Sequence, residues 1–207
     1  MTATEILTIL QRDIHSTVFA TVDRQGNPQT CVIDLMLADE NGLYFLTARG
    51  KSFYDRLLAH PYVAISGMVG TDTLSTLAIS VRGAVRSIGT SRLDEIFEQN
   101  PYMATIYPTV KSRDALEVFQ LYKGEGEYFD LRQQPPFRER FSFGGAAAHE
   151  TGYRINTDTC IGCQGCRSVC PAGCISSTVP RVIDQKHCLH CGNCQRICPV
   201  KAVEKLG

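Results

Sequence analysis

An excess of either charge is missing from this sequence. Its 21 Lys+Arg balance 21 Asp+Glu, for a formal net charge of zero. No basic stripe offers a footprint for nucleic acid, so no such partner is expected. No run approaches 18 uninterrupted apolar residues, and no membrane span is expected. Met1 to His15 contain Glu5, Arg12 and Asp13 and lack an uncharged apolar core with a small-residue cleavage site. A signal peptide is therefore not expected, and the cytoplasm is the expected location. There is no P-loop. Gly124 and Gly126 make a lone GxG with no third glycine and no following helix, which suits strand turns better than a dinucleotide fingerprint. No Ser-His-Asp or Cys-His set can be nominated, so catalytic residues stay unassigned. His15, His60 and His149 stand isolated, as surface or capping residues.

Cysteine is nearly absent from the first three quarters of the chain: Cys31 alone precedes Cys160. Inside an expected strand, Cys31 reads as inert packing. The remaining nine crowd into the last stretch, and without an export signal they argue for metal in a reducing compartment over disulfides. Eight of them form two copies of C-x2-C-x2-C-x3-C-P, CIGCQGCRSVCP from Cys160 and CLHCGNCQRICP from Cys188. This run marks a pair of 4Fe-4S clusters. Three thiolates on one tight loop clasp one face of a cubane, and its fourth corner points away. In the two-cluster arrangement the fourth cysteine of each run serves the other cluster. Cys160, Cys163, Cys166 and Cys198 are thus assigned to one cluster, and Cys188, Cys191, Cys194 and Cys170 to the other. Structural zinc is the rival, but it pairs two C-x2-4-C knuckles and has no use for a third cysteine two residues on.

The repeat reaches beyond the ligands, since Cys160 to Ile175 has its counterpart 28 positions later, ending at Val203. Cys174 falls opposite Ala202, which reads as a small packed side chain and not a ninth ligand. Over Tyr153 to Gly207 the chain resembles the bacterial two-cluster 4Fe-4S ferredoxins. That resemblance implies two strand-loop-helix halves related by a pseudo-twofold axis, a small α+β domain, and electron transfer. Charge agrees. Seven Lys+Arg against three Asp+Glu from Tyr153 onward would be offset by two oxidised clusters of about −2 each. His187 and His190, flanking Cys188, read as surface residues.

Residues 133–152 read as a linker between a domain at 1–132 and the cluster domain at 153–207. The paired prolines Pro135 and Pro136 stop regular structure, and Gly144 to Ala148 are small. Phe137, Phe141 and Phe143 alternate with Arg138 and Arg140, so part of the segment is expected to pack on a domain. The first domain reads as mostly strand: Thr17 to Asp23, Thr30 to Leu37, Leu43 to Ala48, Tyr62 to Val69, Leu77 to Ile88, Glu117 to Tyr122 and Glu127 to Leu131. Helices are expected at Thr4 to Ile14, Ser52 to His60 and Arg92 to Gln99. This is a small antiparallel barrel or sandwich with flanking helices.

Its most informative piece is YFLTARGKS, Tyr44 to Ser52, where a strand ends, a glycine turns the chain and a helix begins. A helix N-terminus favours an anion, and Thr47, Arg49, Lys51 and Ser52 add hydroxyls and positive charge. Ser52 simply capping the helix is the alternative. The strand order, LYFLTARGKSFYDRLLAHPYVAIS and the later ISVRGAV are similar to the pyridoxamine 5'-phosphate oxidase-like FMN-binding split-barrel family over Thr4 to Leu131. The resemblance implies an antiparallel, Greek-key split barrel whose FMN phosphate lies at Thr47, Arg49, Lys51 and Ser52. The flavin ring would lie along Cys31 to Asp34, with Val32 and Ile33 beside it. Where those oxidases carry an Arg-Lys pair this chain has Lys51-Ser52, a departure that weakens a B6 substrate and leaves FMN. A homodimer is implied.

The expected whole is a flavin/iron-sulfur oxidoreductase with FMN and two 4Fe-4S clusters. It would draw electrons from a redox partner protein, because no nicotinamide site is present, and reduce an unidentified small molecule. A carrier or sensor acting only on proteins, and a barrel holding haem in place of FMN, are the alternatives.

Overall fold

The chain opens with α1 (Ala3–Ile9), a capping box in which Thr2 and Glu5 satisfy each other's backbone N–H groups. Strand β1 (Ser16–Val22) follows, and its Thr17, Phe19 and Thr21 are buried while the residues between them are more exposed. This is the behaviour of a β-branched and aromatic run with one solvated face. It pairs antiparallel with β2 (Pro28–Asp34), from Ser16 opposite Asp34 to Val22 opposite Pro28. The turn between them is held by Asp23, whose carboxylate accepts from the backbone N–H groups of Gln25 and Asn27.

The computed structural model describes all 207 residues. After β2 come β3 (Leu37–Asp39), β4 (Gly42–Ala48), α2 (Ser52–Ala59), β5 (Tyr62–Val69) and β6 (Leu77–Ser87). Next are α3 (Leu93–Gln99), α4 (Met103–Ile106), α5 (Val110–Arg113), β7 (Leu116–Asp130) and β8 (Phe137–Phe143). The eight strands make one curled sheet in the order β2-β1-β5-β6-β7-β4-β3, with β8 on β7. It is the antiparallel split barrel with flanking helices that the sequence implied. Strand β4 is buried on both faces over nearly its whole length, because the barrel core covers one face and α3 and α4 cover the other. Phe45 of β4 stacks on Phe119 of β7 at 5.8 Å and meets Phe19 of β1 at 4.7 Å, with Phe53 of α2 against both Phe19 and Phe45. A second cluster gathers Met36, Tyr44 and Leu46 with Ile96, Phe97 and Met103, from α3 and α4.

Three expectations need correction. The helix expected over Thr4 to Ile14 is α1 followed by a π-helical turn, Leu10–Ile14, in which the His15 N–H reaches back five residues to the Leu10 carbonyl. The strands expected at Glu117 to Tyr122 and Glu127 to Leu131 are one continuous β7. Gly124 and Gly126 lie inside it and not in turns. A Cβ on Gly124 would come within 2.6 Å of the Arg82 carbonyl oxygen, and one on Gly126 within 2.5 Å of that of Ser80. Glycine is there to let β6 approach. Within 133–152, residues 137–143 form β8.

The chain divides into two compact units, one of residues 1–70, 78–128 and 140–147, the other of 71–77, 129–139 and 148–207. In the second, β9 (Gly152–Ile155) pairs antiparallel with β10 (Val203–Leu206), and α6 (Gly165–Ser168) and α7 (Asn193–Ile197) carry cysteines between them. Both helices are entered through a left-handed residue, Gln164 at φ 68° and Gly192 at φ 76°. These positions are 28 apart, so the internal repeat is also a repeat of backbone geometry. No helix is long and apolar enough to cross a membrane.

Candidate functional site

The short α6 and α7 place the middle of each cysteine run at the wall of a hollow. Cys160, Cys163, Cys166 and Cys198 line one, of about 310 Å³, together with Ile155 and Arg181. Cys188, Cys191, Cys194 and Cys170 line the other, of about 320 Å³, with Cys174 and Tyr153. The chain therefore brings together, at each hollow, three cysteines of one run and the last cysteine of the other. None of the ten cysteines is in a disulfide. No three His, Cys, Asp or Glu side chains converge as closely as one ion would require, whereas a four-iron cluster reaches sulfurs spread around a wider space. Four thiol sulfurs per hollow, among apolar walls, fit such a cluster.

Burial pushes the Cys166 and Cys194 thiols up, so a metal binding there would displace their protons. Cys174, read from the repeat as packing, lies with its sulfur 3.5 Å from that of Cys170. Its hydrogen bond to Cys188 raises the Cys174 thiol and lowers that of Cys188. His187, expected at the surface, is partly buried, with Nδ1 3.1 Å from the Pro136 carbonyl oxygen.

In the barrel, the turn from β4 to α2 gathers most of the residues expected to hold a phosphate. Thr47 is buried, and its Oγ1 has no hydrogen-bond partner. Lys51 occupies the N-cap of α2 and supplies no side-chain cap, which leaves the first N–H groups of the helix free of one. The Ser52 hydroxyl accepts from Arg56 Nη1 at 3.2 Å. An orphaned hydroxyl, an uncapped helix start and a lysine fit an anionic group. Arg49 is tied down instead, its guanidinium donating to the Asp114 carbonyl and its backbone N–H to that of Ala115.

The β2 candidates divide between two faces. Cys31 and Ile33 lie opposite Phe19 and Thr17 on the inner side, while Val32 pairs with Val18 and is 66% exposed. Lys51 and Arg56 both act on the Cys31 thiol, lowering it against the larger upward push of burial. The inner face of β2 and the start of α2 thus form one surface. Val32 is not part of it.

Sequence reasoning missed Arg56, which reaches Thr21 Oγ1 at 2.8 Å as well as Ser52. Its position four residues after Ser52, on the same helical face, is a signal that could have found it. It also missed a network at the end of β2. Asp34 accepts from Ser16 at 2.5 Å and from Tyr102 at 3.1 Å, and His15 Nε2 lies 3.0 Å from the Tyr102 hydroxyl. His15 is therefore not isolated. Partial burial and the Asp34 carboxylate push Tyr102 up to about 12, so it remains a proton donor to that carboxylate. Nothing in the sequence joins His15 to a residue 87 positions away.

Residues 3–129 match the family described as pyridoxamine 5'-phosphate oxidase, and residues 159–202 match the 4Fe-4S dicluster domain. A NimC/NimA family protein from Clostridium acetobutylicum superposes with a TM-score of 0.56 at 20% identity, covering 68% of this chain and 92% of that one. PhzG from Burkholderia lata 383, solved with tetrahydrophenazine-1-carboxylic acid, superposes with a TM-score of 0.51 at 14% identity, over 68% and 82%. A conserved hypothetical protein from Mycobacterium tuberculosis superposes at 0.51 and 14% identity, over 64% and 86%. No curated protein matches. At these identities the neighbours share the barrel fold, and the cluster domain lies outside the 3–129 span of the oxidase-family match.

Proposed function

The chain belongs to the pyridoxamine 5'-phosphate oxidase family over residues 3–129, and from that premise we propose that it is an FMN-dependent oxidoreductase served by two 4Fe-4S clusters. Bound FMN would supply a ring that takes up one or two electrons, and bound clusters would each pass one. The observation that carries this reading is the grouping of four cysteines around each of two hollows, three from one run and one from the other, on the same chain as a flavin-family barrel.

The chain's own residues divide the work. Cys160, Cys163, Cys166 and Cys198 hold one cluster, and Cys188, Cys191, Cys194 and Cys170 the other. The crossing ties both halves of the repeat into one metal-dependent unit. In the barrel, Thr47, Lys51 and Ser52 bind the phosphate with the free N–H groups at the start of α2, and Arg56 adds charge one turn further on. Ile33, beside Cys31 on the inner face of β2, excludes water from one side of the ring. Arg49 braces the turn through Asp114, which keeps Thr47 in place. Val32 belongs elsewhere. With Val18 and Met68 it gives the outer face of β1, β2 and β5 an exposed apolar character, which supports a homodimer formed through that face. The substrate is a small electron-poor molecule, and the electrons come from a redox partner protein in the cytoplasm.

The test is chemical. Protein purified anaerobically should hold one FMN per chain and about eight irons, with matching sulfide, and after dithionite reduction it should reoxidise with an electron-poor acceptor. Flavin-free protein with a Soret band would replace FMN by haem. A fully loaded protein that reoxidises only with another redox protein would make the chain a carrier.

A further inference from the structure

Arg181 is the one charged side chain in the wall of either cysteine hollow. It is only 3% exposed. Nη1 donates to the Ser176 carbonyl at 2.8 Å and Nη2 to the Gly162 carbonyl at 3.3 Å, while Nε is buried with no partner. Both acceptors are neutral backbone oxygens. A guanidinium is a permanent cation, and burying one without an anion is costly. What repays that cost must be negative and must sit in the hollow.

The internal repeat turns this into a comparison. Ile155 lines the first hollow and Ile183, 28 residues on, lines the second. By the same offset Arg181 corresponds to Tyr153, which lines the second hollow and carries no charge. No charged side chain lines that second hollow. Two sites built alike therefore differ by one fixed positive charge.

We infer that Arg181 sets the two centres at different reduction potentials, so that an electron settles first in the hollow lined by Cys160, Cys163, Cys166 and Cys198. Taking up one electron adds one negative charge to that hollow and expels nothing. A cation in its wall favours the added charge, and Tyr153 does nothing equivalent. The inference rests on the two-cluster reading. It adds an order of filling, and with it a direction along the relay.

The experiment uses full-length protein, purified anaerobically and counted for iron and sulfide before a potentiometric titration followed by EPR. In the wild type two one-electron waves should appear, separated by at least a tenfold difference in affinity for the electron, which is about 59 mV. Arg181→Gln keeps two donors but removes the charge, and should lower the upper wave by a similar step. Arg181→Lys keeps the charge and should leave that wave near its wild-type position. Tyr153→Arg, in the other hollow, should raise the lower wave and narrow the gap without touching Arg181. With eight irons present, a single merged wave in the wild type overturns the inference, and so does a gap that neither Arg181→Gln nor Tyr153→Arg changes. An iron count other than about eight defeats the two-cluster reading itself.

Discussion

Removing Cys198 separates the crossed arrangement of ligands from two self-contained runs. Cys198 ends the second run, yet it lies in the hollow of Cys160, Cys163 and Cys166, where its sulfur accepts from the Ala202 N–H at 3.2 Å. That hollow offers four sulfurs, so Cys198→Ser leaves three, too few for an all-cysteine cluster. One intact four-iron centre should survive, the one built on Cys188, Cys191, Cys194 and Cys170. Pairs of substitutions then report which residues act as a unit. Cys163→Ser with Cys198→Ser strikes one hollow twice and should still leave about four irons in one intact centre. Cys191→Ser with Cys198→Ser strikes both hollows and should leave no intact centre, although both residues come from one run. Iron and sulfide counts with EPR of the reduced protein read the outcome. The reverse order, with an intact centre in the Cys191/Cys198 pair and none in the Cys163/Cys198 pair, would refute the reasoning. Cys170 is the less informative target, because the Cys174 thiol 3.5 Å away is placed to take over its role.

Thr47→Val removes a buried hydroxyl that has no partner within the protein. It should leave the melting temperature of the flavin-free protein unchanged or raised, yet weaken FMN binding roughly tenfold or more, as a fluorescence titration would show. Asp130 is held down at about 2, against an ordinary value of 3.8, chiefly by its hydrogen bonds with Arg132. A depressed carboxylate stabilises the fold above pH 4 or so and loses that contribution as pH falls through about 2. The difference is worth roughly 2 kcal/mol, and urea unfolding of Asp130→Asn should show a smaller loss between pH 7 and pH 2.5. Gly83→Ala would set a Cβ 2.2 Å from the Lys123 carbonyl oxygen. Neither backbone can yield cheaply, so a loss of several kcal/mol is expected by chemical denaturation, where an unchanged midpoint would contradict the close approach of β6 and β7. Phe45→Ala empties the centre of the aromatic cluster and should cost about 3–5 kcal/mol.

The cluster domain was legible because its chemistry is local. A loop of three cysteines at fixed spacing presents three sulfurs whatever the rest of the chain does, and a repeat of 28 residues declares two such loops. Strand positions in the barrel were legible too, from the period-two burial of runs such as Ser16–Val22. Less was visible where meaning depends on what lies opposite. Gly124 and Gly126 look like turn residues until the carbonyls of Arg82 and Ser80 are placed beside them. Val32 and Ile33 are neighbours in sequence and sit on opposite faces of β2, so the period of a strand splits a pair that the resemblance had joined. Arg49 belongs to the basic turn by sequence, but its guanidinium is committed to Asp114.

By itself the sequence determined the metal chemistry, the number of centres and most of the barrel's strands, since each follows from spacing along a few consecutive residues. Only the tertiary structure decided that Arg181 stands in one hollow with no charged partner, that Thr47 keeps an unpaired hydroxyl, and that His15, Tyr102 and Asp34 meet. Those facts concern groups far apart in the chain whose burial and partners exist only once the backbone has folded. An electrostatic environment is a sum over neighbours in space, and a sequence records neighbours in only one dimension.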